Sequence, residues 1–299
     1  KKTGIISFDG SMHGKTLGAL MMGGKPKEKH WVGFEDPHIY HIPFPFSETC
    51  PWKINDEHEC DASCFRKSIN ELKNKIDFSI IAGFMIESYQ GWGAMFYPSP
   101  YISELKKWCK ENNVLVIFDE IQAGFGRTGK LFAFEHYNAI PDILVYGKGL
   151  GGGFPIGALS SSKEKMGLFK KNPILGHITT FGGHPVIASA ALANLKETLK
   201  SGIMKKIKKK ENTIRKLLQH DLIEEIRGKG LMLALIMKNK KIAQELVIRC
   251  LGNGLILFWL LFESKAVRIT PSLTISKKEI KLGCKVIIDT LNEINNNVD

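Results

Sequence analysis

Near-continuous apolar runs punctuate the first two-thirds of the chain, separated by longer amphipathic or glycine-rich stretches. GIISF (Gly4 to Phe8), SIIAGFMI (Ser79 to Ile86), VLVIF (Val114 to Phe118), ILVYG (Ile143 to Gly147) and IGALSS (Ile156 to Ser161) each read as a strand. These runs lack polar alternation, so they suit a sheet covered on both faces. SPYISELKKWCKENN (Ser99 to Asn113) predicts a helix, with Ser99 as N-cap and Leu105 and Trp108 turned inward. HPVIASAALANLKETLKSG (His184 to Gly202) predicts another, and Thr16 is a further helix start. Strands and helices in alternation predict an α/β fold, with a mostly parallel, doubly wound central sheet and helices on both faces.

From about residue 200 the texture changes. IRGKGLMLALIM, KIAQELVIRCLGNG, VRITPSL and KKEIKLGCKVIIDTLNEI alternate shorter strands with helices. This predicts a large domain over 1–200 and a smaller C-terminal α+β domain over 201–299. LILFWLLF (Leu255 to Phe262) is too short to span a bilayer and reads as a buried strand. KKIKKK (Lys205 to Lys210) reads as the solvated side of an amphipathic helix whose inner face carries Ile207, Ile214 and Leu217. The tail NEINNNVD is expected to fray.

Composition narrows the class. With 299 residues, 43% hydrophobic and 24% charged, the chain has ample material for a packed core. A net charge of +12 raises nucleic acid as a partner. The lysines gather on one helix face and no aromatic residues interleave with them, so neither nucleic acid nor membrane is expected as a partner. The first residues lack the apolar core of a secretory signal, and six cysteines spread over this length do not form a disulfide framework. A reducing cytoplasm is the expected location.

Two apolar strands end on chemistry. Asp119 closes VLVIF and Lys148 closes ILVYG, one strand later. Ligand-handling groups collect at the carboxyl ends of parallel strands, so a carboxylate and an amine would enter one crevice. A cofactor with a basic ring nitrogen and an aldehyde needs that pair. A Schiff-base lysine must also be shielded, and the flanking strands place Lys148 deep. Other motifs weigh less. Gly147, Gly149 and Gly152 spell a dinucleotide fingerprint, but a strand pattern follows where a helix should open. GSMHGKT (Gly10 to Thr16), with Lys15, is one residue short of a P-loop, leaving an ATPase as the reading from another class. His58, Cys60 and Cys64, with Cys50 upstream, suggest a metal. The spacing lacks a C-x2-C knuckle, so these read as a polar surface loop with incidental thiols, and no metal site is expected.

Taken together, FDEIQAGFGRTG, GKGLGGGFPIGA, TTFGGHP, ESYQGWG and VRITPSL resemble the class III (ω-amino acid) aminotransferases over essentially the whole chain. The resemblance implies a pyridoxal-phosphate-dependent transferase of fold type I. Its reaction is transamination between an ω-amino acid or amine, 4-aminobutyrate-like, and a 2-oxo acid. Lys148 would form the Schiff base with pyridoxal 5'-phosphate, and the freed amine would then shuttle the substrate proton. Asp119 would pair with the pyridine nitrogen and keep the ring an electron sink. Ile121 would pack on the ring and Gln122 would approach its phenolic oxygen, while Met12, His13 and Gly14 would complete the cofactor contacts. Thr180 would reach the phosphate of a neighbouring subunit, making a homodimer part of the site. Arg268 would clamp a substrate carboxylate, with Trp92 and Glu87 on the substrate side.

Three departures qualify the match. Met12 stands where the family carries an aromatic residue against the ring, and its thioether covers less area. Trp92 stands where the 4-aminobutyrate branch carries a gate glutamate, which leaves room for another amine or a bulkier amino acid. The chain also begins downstream of the family's phosphate-gripping loop. An N-terminal portion is therefore expected to be missing, with weak cofactor binding by this polypeptide. A racemase or aminomutase on the same fold, or a non-catalytic truncated relative, are the remaining readings.

Overall fold

The computed structural model describes residues 1–53, 57–171, 173–175, 177–200, 202–260 and 263–296. The chain divides into two compact units. The first comprises Lys1–Tyr89, Tyr97–Gln122 and Phe134–Glu197, and the second Gln90–Phe96, Ala123–Ala133 and Thr198–Asp299.

The first unit is built on β1 (Gly4–Phe8), α1 (Leu17–Met22), β2 (Ile39–Ile42), α2 (Ala62–Lys73), β3 (Ile81–Glu87) and α3 (Ser99–Glu111). It continues with β4 (Leu115–Asp119), β5 (Ile143–Gly147), β6 (Gly157–Ser161), α4 (Lys163–Gly167) and α5 (Pro185–Lys200). Its sheet runs β2-β1-β3-β4-β5-β6. All pairs are parallel except β5 with β6, so the expected mostly parallel sheet carries one antiparallel edge. Ile6, Phe8, Phe84, Ile86 and Phe118 are buried side by side on one face of this sheet, as its register sets them. Phe65 of α2 meets Tyr101 of α3 edge-on at 5.3 Å, and Trp108 packs against Phe65 and Phe78. The N-cap of α3 is Pro98 rather than Ser99, which instead opens the helix. Pro100, in the first turn, has a fixed φ that suits a helix start, and Pro98 makes no side-chain cap.

HECDASC is not a polar surface loop. Cys50, Cys60 and Cys64 are buried, and with His58 their ligand atoms lie within 4.8 Å of one another. A short-range spacing rule missed this, because Cys50 comes from the turn upstream while Cys64 lies in the first turn of α2. All six cysteines are buried thiols.

The second unit holds α6 (Ile203–Leu217), β7 (Ile223–Lys229), β8 (Met232–Met237), α7 (Lys240–Gly252), β9 (Phe258–Trp259), β10 (Ala266–Ile269) and α8 (Lys277–Asn295). Its sheet is antiparallel, in the order β7-β8-β10-β9. β8 is buried at all six positions, and α6, α7 and α8 supply the rest of the core. The inner face of α6 carries Ile207, Glu211 and Ile214, with Leu218 beyond the helix end, whereas Leu217 is 37% exposed. Glu211 replaces an apolar residue there because it is fully engaged. It accepts from Arg215 at 2.9 Å and from the Gly230 amide at 3.0 Å. The β7–β8 hairpin depends on Gly228, whose φ is +99°, where an added Cβ would lie 2.1 Å from the Met232 carbonyl oxygen.

Two corrections concern this part of the chain. LILFWLLF contributes only the two-residue edge strand β9, with Phe258 and Trp259 both exposed, and residues 261 and 262 lie outside the described residues. The end of the expected frayed tail, 297–299, also lies outside them, whereas Asn292–Asn295 are helical. The second unit also recruits segments from far upstream. Arg127 donates to the Pro271 carbonyl at 2.6 Å and to Leu231 at 3.3 Å, and the Leu231 amide donates back to Arg127 at 2.9 Å. Burial lowers the Arg127 guanidinium below its ordinary range, which the two carbonyls answer by accepting from it.

Candidate active site

β1, β3, β4 and β5 are parallel neighbours, so their carboxyl ends open along one edge of the sheet. Each end supplies a polar group: the loop to His13 after β1, Glu87 on β3, Asp119 on β4 and Lys148 directly after β5. Glu87 pairs in register with Asp119, and Asp119 with Val145, three residues before Lys148. The apolar runs thus deliver a carboxylate and an amine at the ends of adjacent strands.

Asp119 is buried, at 6% exposure, and held from two sides. Its Oδ1 accepts from the Ile121 amide at 3.0 Å, and its Oδ2 lies 3.0 Å from His13 Nδ1. A carboxylate only accepts, so Nδ1 carries the hydrogen. The other ring nitrogen, Nε2, lies 3.2 Å from the Ser7 hydroxyl. Ser7 in turn meets Ser11 at 3.1 Å. This chain from Ser11 to Asp119 fixes the carboxylate's orientation. The next residue, Glu120, points the other way, as strand alternation demands, and accepts from the Phe134 amide at 2.7 Å. Only one acid of the Asp119–Glu120 pair therefore faces His13.

The loop carrying Met12, His13 and Gly14 is tied to β3, since the Met12 amide donates to Glu87 Oε2 at 3.2 Å. Glu87, placed on the substrate side by the sequence, is buried and engaged by this loop. Tyr137 donates to the Ser88 carbonyl at 2.8 Å and accepts from the Tyr97 amide at 3.2 Å, which pins the chain just after β3. Burial pushes the Tyr137 phenol up, so it stays a hydrogen-bond donor. Lys15 of the near P-loop is exposed and forms an ion pair with Glu28 at 2.5 Å.

Lys148 is exposed rather than deep. Gly149, Gly152 and Gly153 bring no side chains to cover it, and β6 alongside is largely exposed. Its φ of +37° lies in the left-handed region, a strained position for a residue with a Cβ. The following residues form a single 3-10 turn, Lys148–Gly151, and not the helix that a dinucleotide fingerprint needs. Asn194 of α5 braces that turn by donating to the Gly149 carbonyl at 2.6 Å. Ile121 and Gln122 are half-buried just past Asp119, and Thr180 is exposed in a turn closed by Gly182 on Thr179. Trp92 and Arg268 belong to the second unit. Trp92 sits half-buried in a tight turn closed by Gln90 and Met95. Arg268 lies on β10 opposite Ala234 and Phe258.

The donor set fits pyridoxal phosphate: a buried, oriented carboxylate for a ring nitrogen and an accessible amine for an aldehyde, on adjacent strand ends. No signal in the sequence links His13 and Ser7 to Asp119, because the contact spans 106 residues.

Known proteins agree. The family Aminotransferase class-III matches residues 1–291. Acetylornithine aminotransferase of Caldanaerobacter subterraneus subsp. tengcongensis is 35% identical over 300 residues, covering 98% of this chain and 69% of that protein. A transaminase from the marine bacterium Virgibacillus shares the fold with a TM-score of 0.88 at 22% identity, covering all of this chain and 69% of its own. An amine transaminase from an uncultivated Pseudomonas species, solved with pyridoxal phosphate bound, has a TM-score of 0.85 at 23% identity, covering 98% of this chain and 70% of its own. On the family match over residues 1–291 and the 35% identical relative, this chain belongs to the class III aminotransferases, pyridoxal-phosphate enzymes of fold type I.

Proposed function

We propose that the transamination carried out here takes its amino group from the terminal amine of a carboxylate-bearing donor, an ω-amino acid, and passes it to a 2-oxo acid. The observation that supports pyridoxal chemistry is the placement of buried Asp119 at the end of β4 and of Lys148 directly after the adjacent parallel strand β5, and Arg268 on β10 supports a carboxylated donor. Pyridoxal phosphate, when bound, supplies an aldehyde that captures amines and a ring that delocalises the electron pair left at the substrate carbon. Asp119, oriented by Ile121 and His13, holds a proton at the ring nitrogen. Lys148 would hold the cofactor at its aldehyde, and its amine would carry the proton at the substrate carbon. Met12, Gly14, Ile121 and Gln122 would line the ring, and Glu87 positions Met12 by accepting from its amide.

Arg268 binds the donor carboxylate, and Trp92 holds the place of an acid that would otherwise compete for that arginine. The likeness to an acetylornithine aminotransferase supports a donor longer than 4-aminobutyrate. The large part, 1–200, carries the cofactor contacts, and 201–299 contributes Arg268. Thr180 completes the phosphate contacts of the neighbouring subunit in a homodimer, which works in the cytoplasm.

The test is a donor panel with 2-oxoglutarate: N-acetylornithine, 4-aminobutyrate and a primary amine without a carboxylate, followed for keto product and for inverted amino acid. Carboxylated ω-amines should be preferred, and Arg268→Ala should raise their KM while leaving the uncharged amine unaffected. Equal use of the uncharged amine would overturn the donor assignment, and inverted amino acid without keto product would point to a racemase.

A further inference from the structure

Outside the strand-end site, the densest cluster of ligating groups surrounds the start of α2. Cys50, His58, Cys60 and Cys64 place their ligand atoms within 4.8 Å of one another. Cys50 Sγ lies 3.9 Å from Cys64 Sγ, His58 Nε2 lies 3.5 Å from Cys64 Sγ, and Cys60 Sγ lies 3.8 Å from His58 Nε2. A tetrahedral zinc ion with Zn–S near ~2.3 Å and Zn–N near ~2.05 Å has S···S edges of about 3.8 Å and S···N edges of about 3.6 Å. These three separations lie close to those edges, and the other ligand atoms stay within 4.8 Å of one another. They are too long for a disulfide, whose sulfurs approach to about 2.05 Å, and a disulfide would leave a third thiol and an imidazole unaccounted for.

The surroundings suit a structural ion. Cys50, Cys60 and Cys64 are 7%, 6% and 1% exposed, so water is excluded. Cys64 is the third residue of α2 and Cys60 directly precedes its N-cap, Asp61. Asp61 caps the helix by accepting from the Ser63 amide at 2.8 Å, which fixes the first turn that carries Cys64.

We propose that Cys50, His58, Cys60 and Cys64 bind one zinc ion in a closed tetrahedral Cys3His site that fastens the segment before α2 to the helix's first turn. Each of three S–H groups loses its proton to solvent as a Zn–S bond forms. His58 binds through Nε2 and keeps its proton on Nδ1. With four protein ligands there is no open position, so the ion is structural rather than catalytic.

The test is metal analysis of the intact protein, purified without a polyhistidine tag. About one zinc per chain should survive gel filtration and leave in step with thiol modification. Replacement by cobalt should give the visible bands of a tetrahedral thiolate complex. Cys64→Ser should strip the zinc and lower Tm, while Cys109→Ser, a buried thiol elsewhere, should retain it. His58→Cys should keep the metal and shift the cobalt bands toward those of a four-thiolate site. The visible absorbance of bound pyridoxal phosphate should not change when the zinc is removed, which separates this site from the cofactor's. If Cys64→Ser does not fold, the zinc content and cobalt spectrum of the unaltered protein decide alone. Metal-free protein with every thiol free, a Cys50–Cys64 disulfide, or undiminished zinc in folded Cys64→Ser would each overturn the proposal.

Discussion

Asp119 and Lys148 differ in how their surroundings prepare them. Asp119 is locked by an amide, an imidazole and the strand itself, so its carboxylate is oriented before any ligand arrives. Preorganised charge of this kind acts on the reacting state more than on binding. Asp119→Ala should therefore lower kcat by at least about a hundredfold while cofactor affinity falls far less. Steady-state rates beside a cofactor titration check this, and equal losses in both would contradict it. The residue types at the two strand ends were legible because apolar runs stop abruptly at each. The hydrogen-bonded chain from Ser11 through Ser7 and His13 was not, since it joins the loop after β1 to the end of β4. Nor was the exposure of Lys148, which follows from glycines that cover nothing.

Elements stand or fall on particular backbone and burial demands. Gly228 combines a left-handed φ with a carbonyl where its Cβ would sit. Gly228→Ala should cost at least about 3 kcal/mol by adding backbone strain to overpacking, visible as a loss in chemical denaturation midpoint. An unchanged midpoint would show that the hairpin has another register.

On β2, His41 donates to the Met22 carbonyl at 3.1 Å and its pKa is lowered chiefly by burial. A lowered folded pKa means the unfolded chain binds the proton more readily. The stability from neutral His41 is present above about 6.5 and lost as pH falls through the folded pKa. Asp9 nearby is raised chiefly by burial, so it has the opposite sign and acts from its ordinary 3.8 upward. His41→Gln, which keeps the donor, should flatten the fall of Tm between pH 7 and pH 5 on the order of one titrating group. An identical slope in both proteins would rule out His41 as the source. Helix faces were legible to within a residue: the 3.6 period selects Ile207 and Ile214, but the last inward residue is Leu218 and not Leu217. The single missed step comes from the helix ending at Leu217, beyond which periodicity no longer applies.

At the scale of the molecule, the stretch from Phe154 to Leu199 leaves many large apolar side chains in water. Phe154, Leu168, Ile174, Ile178, Phe181 and Leu192 are 48% to 74% exposed. Apolar side chains exposed to this degree are what a subunit interface would cover. The intact protein should sediment as a dimer, and Phe181→Asp should shift it toward monomer and reduce cofactor retention through the adjacent Thr180. A monomer at micromolar concentration that holds its cofactor fully would contradict the shared site.

The fold class was legible because each parallel strand is an unbroken apolar run. Membership of the second unit was not, because Gln90–Phe96 and Ala123–Ala133 join it through long-range ties such as Arg127 to Pro271. Among the described residues no helix is long and apolar enough to cross a membrane.

The most direct measurement is borohydride reduction of the protein loaded with pyridoxal phosphate, followed by peptide mapping of the modified lysine. The label should fall on Lys148 alone and disappear in Lys148→Ala. Labelling of Lys15, of the α6 lysines, or of Lys148→Ala to the same extent would contradict the account.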